Sequence, residues 1–312
     1  MIYDTLYKKY YNNSGNPIVD NVNTSSHWQE FAKSISVKKR AIGSDYKLKG
    51  YGFGENQSTG IIDKLFTFLF EKISLFILKN KKPRSEIKVL KNIIKKMNLS
   101  YSQDAIRQAY TLNLLKDKLI DNNGKNILII GDGYGVLASL IHYTYPDSKI
   151  FLIDLGPMLF FQSYYINKAF PNSNLQIVEK GFNVPSSFNF CSPDSINYLS
   201  EEKYFLTINI ASMQEMSLEM VKTYFNFMRK TNTLYFYCCN RIEKIMPGGE
   251  ISSYFNYPWD KNDLHLIDQI CPWHQFYIGA GANKFKIKGI PIPFVSKYDG
   301  PHWHRLTKLN SN

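Results

Sequence analysis

The stretch Asn126–Gly135, NILIIGDGYG, decides how this chain is read. Ile127 to Ile130 run without a polar break, the pattern of a strand buried on both faces. The run ends in a turn with glycine at 131, 133 and 135, where the backbone reaches left-handed conformations and lets a ligand approach closely. Val136 to Tyr143 follow as a helix, so the unit is buried strand, glycine turn, helix N-terminus. A purely structural αβ turn uses the same glycines. A dinucleotide fingerprint would need a small residue at its sixth position, where this chain has Val136.

Downstream the texture repeats. Strands are predicted at Lys149–Asp154, Leu175–Val178, Phe205–Ile210 and Thr233–Cys239, with helices at Pro157–Phe170 and Leu218–Lys230. Short apolar runs alternating with helices signal a parallel sheet covered on both faces. Beyond Cys239 come a Pro/Gly/aromatic stretch, a short helix near Leu264–Ile270, and two closing strands at Gln275–Gly279 and His302–Leu309. The expected fold is α/β, a doubly wound, mostly parallel, seven-stranded Rossmann-like sheet over residues 121–312. Upstream, residues 1–120 read as polar loops and then helices near His27–Ser36, Ile61–Lys79, Ser85–Met97 and Ser102–Leu119, an N-terminal helical cap over the substrate region.

A chain of 312 residues, 44% hydrophobic, has enough apolar material for a large core. Cys191, Cys238, Cys239 and Cys271 show no C-x-x-C pair and no His/Cys ladder, so neither a disulfide framework nor a metal site is expected. The N-terminal MIYDTLYKKYYNN has no apolar signal core, which favours a cytoplasmic location. The net charge of +12 attracts anionic partners, whether nucleic acid, phosphorylated sugars or a membrane surface, and the dispersed lysines select none of them. The apolar Ile61–Leu78 run is broken by Asp63, Lys64, Glu71 and Lys72 and cannot span a bilayer. It reads as an amphipathic helix with Leu65, Phe66, Leu69, Ile73 and Phe76 turned to the core. Peripheral membrane contact, helped by the basic KNKKPR that follows, is the other use of such a face. Gly50-Tyr-Gly-Phe-Gly54 follows no buried strand and reads as a loop over the substrate.

An acid ends the second strand of the sheet. Asp154 lies about twenty residues past the glycine turn, where a carboxylate accepts both ribose hydroxyls of a nucleoside; capping the next helix is the structural alternative. The third strand's end, Glu179 to Asn183, is placed to meet a base, with Asn183 as the named contact. After the fourth strand, Gln214 and Glu215 sit at the sheet's carboxyl edge. Glu215 is either a general base or a helix-start acid. His265 and His274 are further catalytic candidates, and His302-x-His304 forms only a partial metal pair with no acid to complete it.

The GDGYG turn, the FLIDLG strand end and above all Asn209–Met216, NIASMQEM, with its following amphipathic helix, resemble the sugar O-methyltransferase family of bacterial surface-polysaccharide clusters. The YPW at Tyr257 to Trp259 adds to the resemblance, which runs from about Trp28 to the C-terminus. It implies the methyltransferase form of the doubly wound sheet, S-adenosylmethionine as cofactor, and a hydroxyl of a sugar or nucleotide-sugar as acceptor. The implied cofactor residues are Gly131, Asp132, Gly133, Gly135, Asp154, Asn183 and Asn209, with Gln214, Tyr257 and Trp259 at the substrate. Ile129 and Asn209 stand where general methyltransferases often carry acids, which leaves the methionine end of the site open. Three alternatives remain: an RNA methyltransferase, a nicotinamide-dependent sugar enzyme and a non-catalytic protein of the same fold. Dispersed lysines and the absence of an Asn-Pro-Pro-Tyr motif argue against nucleic acid. Oligomeric state is not legible.

Overall fold

The structure, a computed structural model, describes residues 1–18, 25–40, 45–49, 61–77, 83–119, 124–280, 282, 286–287, 289–291, 293–297 and 300–310. The Gly50–Gly54 loop lies outside the described residues. In chain order the elements begin with α1 (Ile2–Tyr10), α2 (Ser26–Ala32), a hairpin of β1 (Ser36–Lys39) and β2 (Tyr46–Lys49), α3 (Ile61–Ile77), α4 (Arg84–Met97) and α5 (Gln103–Leu119). The sheet units follow: β3 (Asn126–Ile130), α6 (Val136–Thr144), β4 (Lys149–Ile153), α7 (Gly156–Ala169), β5 (Leu175–Ile177), β6 (Phe188–Cys191), β7 (Leu206–Ile210), α8 (Leu218–Lys230) and β8 (Tyr235–Arg241). Two short strands, β9 (Glu243–Ile245) and β10 (Ile251–Ser253), pair with each other. Then come β11 (Leu264–Ile270), β12 (Phe276–Ile278), β13 (Lys286–Ile287), β14 (Ile290–Pro291), β15 (Val295–Lys297) and β16 (His302–Lys308).

Eight strands form the central sheet in the order β11-β16-β8-β7-β3-β4-β6-β5. The six from β8 to β5 run parallel, and β16 is antiparallel to both of its neighbours, β8 and β11. This is a doubly wound, mostly parallel sheet closed by an antiparallel strand, with one strand more than expected. The unbroken apolar run of β3 serves both faces. Ile127 and Ile129 join the core under α6 and α7, while Leu128 and Ile130 join the one under α8.

Several expectations are corrected. Leu264–Ile270 is not a helix but the outer strand β11, which pairs antiparallel with β16 along its length with a register shift between His265 and Ile267. It, rather than Gln275–Gly279, completes the closing pair; β12 instead pairs with β15 in a small separate ribbon. The unforeseen β6 occupies the place beside β4 and pushes Leu175–Ile177 to the edge. Its buried Asn189 hides the strand from a hydrophobicity reading, yet that amide is satisfied by the Ile150 and Ser186 carbonyls.

Elements of the first 120 residues pack on the sheet units. α1 forms where polar loop was expected and packs on α7, and α4 and α5 contact α6. One hydrophobic core runs from Tyr3 and Leu6 through Ile94 and Tyr110 to Ile129 and Leu206. α3 is turned differently from expectation. It buries Phe66, Thr67, Phe70, Glu71 and Ser74, while Leu65, Leu69 and Ile73 face outward with Ile61, Ile62 and Phe68. Tyr101 and Lys91 hold the buried Glu71 carboxylate, which explains why a face containing an acid turns inward. No described helix is long and apolar enough to cross a membrane.

Candidate functional site

The site begins where β3 ends. Gly131, Gly133 and Gly135 all take positive φ (77°, 62° and 77°), and a Cβ on Gly131 would lie 2.2 Å from Ser212 Oγ. Only glycine closes the turn this tightly against the β7 loop. Asp132, between the first two, points back to the start of α6 and accepts hydrogen bonds from the Leu137 and Ala138 amides at 3.2 and 2.8 Å. Burial lifts its pKa to about 7 against the pull of these two amides. Its carboxylate is therefore committed partly to the helix N-terminus.

Asp154 follows β4 and is buried. One carboxylate oxygen accepts from the Leu155 amide at 2.8 Å and the other from Gln162 Nε2 at 2.6 Å. Burial pushes its pKa up to about 7, and the charge of Asp132 adds to the push. Two cavities meet at this residue, of about 460 and 410 Å³, and both also touch Trp28, Ser212 and Glu215. The first runs past Leu155 and Gly156 to Ser192, Pro193 and Asp194 after β6, with Tyr224 of α8 behind and Lys9 and Tyr10 of α1 in front. The second holds the glycine turn, Gln214, Arg241, His274 and His302, with His27, Asp104 and Gln108 contributed from upstream. Such sizes suit a cofactor and an acceptor side by side, at the switch point where the chain leaves β3 to either side.

Glu215 lies in both cavities and is bound on both oxygens. Oε1 meets Lys244 Nζ at 2.7 Å and Oε2 meets His27 Nε2 at 3.2 Å. Burial raises its pKa, but the His27 hydrogen bond and the Lys244 charge outweigh burial and hold the carboxyl below its usual range. Burial pulls Lys244 down despite its acidic partner. Ser25 donates its hydroxyl to the Glu215 carbonyl, fixing the loop before α2 to the loop after β7. These partners favour the ionised Glu215 carboxylate, and His27 beside it lines the second cavity.

The other expected site residues separate. Gln214 lines the second cavity, its Oε1 accepting from the Arg241 amide at 2.7 Å. His274 lines it too, its ring stacked on His302 with centroids 5.1 Å apart. Asn209 lines neither cavity. It is fully buried, donates to the Ile130 carbonyl and Ser212 Oγ, and accepts from the Met213 amide and Asn240, so it braces the loop from behind. Asn183 is exposed and away from both cavities, because β6 displaces β5 and brings Ser192–Asp194 to the position foreseen for it. His265 sits on β11 against Thr307 and Trp259. Tyr257 and Trp259 pack with Phe225 in the core under α8 and face neither cavity. His27, Ser192–Asp194, Tyr224 and Arg241 went unnoticed in the sequence. Only the proline and acid closing β6, Pro193 and Asp194, left a readable strand-end signal there.

Topology and cleft together define an α/β protein with a doubly wound, mostly parallel sheet. No family profile and no curated protein matches the chain in sequence. Its fold is similar to that of Thermoplasma acidophilum 1320, at 10% identity and a TM-score of 0.44, covering 72% of this chain and 99% of that one. TehB from Haemophilus influenzae aligns at 12% identity and a TM-score of 0.41, over 63% of this chain and 62% of its own. Coclaurine N-methyltransferase, solved with N-methylheliamine and SAH, aligns at 11% and 0.39, over 68% and 76%. Likeness at this level bears on the fold and on nothing finer.

Proposed function

We propose that the protein transfers the methyl group of S-adenosylmethionine to a hydroxyl of a sugar or nucleotide-sugar. The observation that carries this reading is the buried Asp154 carboxylate beside the positive-φ glycine turn, at the junction of two cavities. Asp154 would accept the ribose hydroxyls, Ser192–Asp194 would edge the adenine, and Gly131 to Gly133 would back the methionine moiety. The acceptor would then occupy the second cavity, which shares Asp154, Ser212 and Glu215 with the first.

That second cavity combines aromatic faces, Trp28, Phe31 and Tyr134, with hydrogen-bonding groups, His27, Gln108 and Gln214, and this mixture suits the ring and hydroxyls of a sugar. Gln108 Oε1 is buried there without a hydrogen-bond partner and is available to an acceptor hydroxyl. Methyl transfer is an in-line displacement, so the acceptor oxygen must be held opposite the C–S bond and lose its proton. His27 is suited to take it. Its Nε2 is engaged by Glu215, leaving Nδ1 for the hydroxyl. Bound S-adenosylmethionine would supply the methyl group, and the imidazolium formed on His27 would be balanced by the Glu215 carboxylate.

The test is a screen with labelled S-adenosylmethionine against nucleotide-sugars, lipid-linked sugars and total RNA. His27→Asn should keep cofactor affinity and lower kcat by roughly 10²–10⁴-fold, the usual cost of losing a general base. Label in RNA alone would assign the chain to nucleic-acid methylation, and label in nothing would favour a non-catalytic role.

A further inference from the structure

Cys239 comes together with Cys271 and His274, although 35 positions separate it from His274. Cys239 is on β8, while Cys271 and His274 belong to the turn that leaves β11. Their sulfur and nitrogen atoms all lie within 4.8 Å of one another. His274 Nδ1 is 3.7 Å from Cys239 Sγ and 3.5 Å from Cys271 Sγ. A neutral imidazole nitrogen has one in-plane lone pair and can accept one well-directed thiol hydrogen bond. Two sulfurs converging on it call for something between them.

The spacing identifies what that is. With Zn–S near 2.3 Å and Zn–N near 2.0–2.1 Å, a tetrahedral ion sets its sulfur and nitrogen ligands about 3.5 Å apart. Both measured S···N separations fall close to this edge length. A fourth donor stands next to this cluster, outside its 4.8 Å spread: His304 pairs with Cys239 across β16 and β8, so the two share a face of the sheet, and a side-chain rotation would bring its ring to the ion. Its Nδ1 meets the Tyr237 hydroxyl at 3.1 Å, and its buried Nε2 has no nitrogen or oxygen partner. Metal-bound histidines commonly engage their second nitrogen in this way.

We propose that Cys239, Cys271, His274 and His304 bind a zinc-type thiophilic cation in a closed tetrahedral site behind the second cavity. All four residues are buried, and the set has the ligand count of a structural rather than a catalytic site. Binding expels two thiol protons, and two thiolates then neutralise the divalent charge, as a buried site requires. The ion would staple β8, β16 and the β11 turn together, fixing the wall that carries Arg241, His274 and His302. The site does not depend on the identity of cofactor or acceptor.

The experiment uses the full chain purified without chelator in zinc-supplemented medium. Elemental analysis should give about one zinc per chain. Cobalt(II) exchange should produce the visible bands of tetrahedral cobalt with thiolate charge transfer. Cys271→Ser and His304→Gln should each weaken retention and change the cobalt spectrum, whereas Cys238→Ala, on the opposite face of β8, should change neither. If the ligand variants fail to fold, wild type alone decides, by its metal content, its cobalt spectrum and a fall in Tm on chelation. The proposal is overturned by a metal-free wild type that gives no cobalt spectrum, by a Cys239–Cys271 disulfide in the protein as isolated, or by unchanged spectra in both ligand variants.

Discussion

Replacing Asp154 by asparagine separates two effects of one carboxylate, because affinity and stability should move in opposite directions. Asparagine keeps the shape and one oxygen for the Leu155 amide. Gln162 can rotate its amide to meet the new NH₂, since its own Oε1 is buried without a partner. What is lost is an anionic acceptor for the ribose. A hydrogen bond to a charged group is worth about 1.5–3 kcal/mol, so affinity for S-adenosylhomocysteine should fall by roughly 10–100-fold.

Stability runs the other way. The folded-state pKa of Asp154 is about 7 against 3.8 for the free group, so the folded chain retains a proton that the unfolded chain gives up. Stability is therefore lost as pH rises between these values, and the full penalty, about 4 kcal/mol at most, stands above pH 7. D154N removes it. The variant should melt a few degrees higher than wild type at pH 8, by about half that margin at pH 5.5, and with no advantage near pH 4. Calorimetry with S-adenosylhomocysteine and thermal melts across pH read the two quantities. Unchanged affinity would refute the ribose contact, and a lower Tm at pH 8 would refute the reasoning about the buried charge.

Gly131→Ala should cost about 2–4 kcal/mol in urea unfolding, since its Cβ meets Ser212 Oγ and the backbone keeps a positive φ. Arg229→Ala leaves the buried Asp263 carboxylate without its bidentate partner and should lose about 3–5 kcal/mol. Burial raises the Asp263 pKa but the Arg229 hydrogen bonds outweigh it, so its contribution is present above the unfolded value of 3.8 and disappears as pH falls below it. An acid titration of stability should show a shallower loss in the variant. Glu215→Gln should retain cofactor affinity yet lower kcat more than it alters KM, and an unchanged kcat would return Glu215 to a packing role. Deleting residues 2–11 removes Lys9 and Tyr10 from the first cavity and should weaken cofactor binding in a titration.

Legibility followed local pattern. β3, β4, α6 and α8 were readable because apolar runs, glycine punctuation and helical spacing all agree there. β11 was not, because an edge strand exposes much of its length and leaves a weak alternation that a short helix can imitate. α3 was recognised as a helix but assigned the wrong face: sequence shows an apolar stripe, whereas the buried acid on the other face depends on Tyr101 and Lys91 from elsewhere. The place of Asp154 in the fold was legible because a strand end and a helix start bracket it. His27 was invisible, because only the fold carries α2 across to Glu215. The Cys271-Pro-Trp-His274 spacing was readable but lacked the cysteine and histidine that β8 and β16 supply.

The docking of α1 on α7 has a consequence for the order in which the molecule comes into being. Tyr11 donates its hydroxyl to the Pro157 carbonyl across 146 positions, and Tyr10 covers Gly156, where a Cβ would strike its ring. During synthesis at about 5–20 residues per second, the first helix therefore waits roughly 7–30 s for its docking surface to be made. So short a helix is marginal on its own, and a contact of such long range forms late. The front wall of the first cavity is then among the last parts of this fold to assemble, because Lys9 and Tyr10 reach it only after residues made much later have folded.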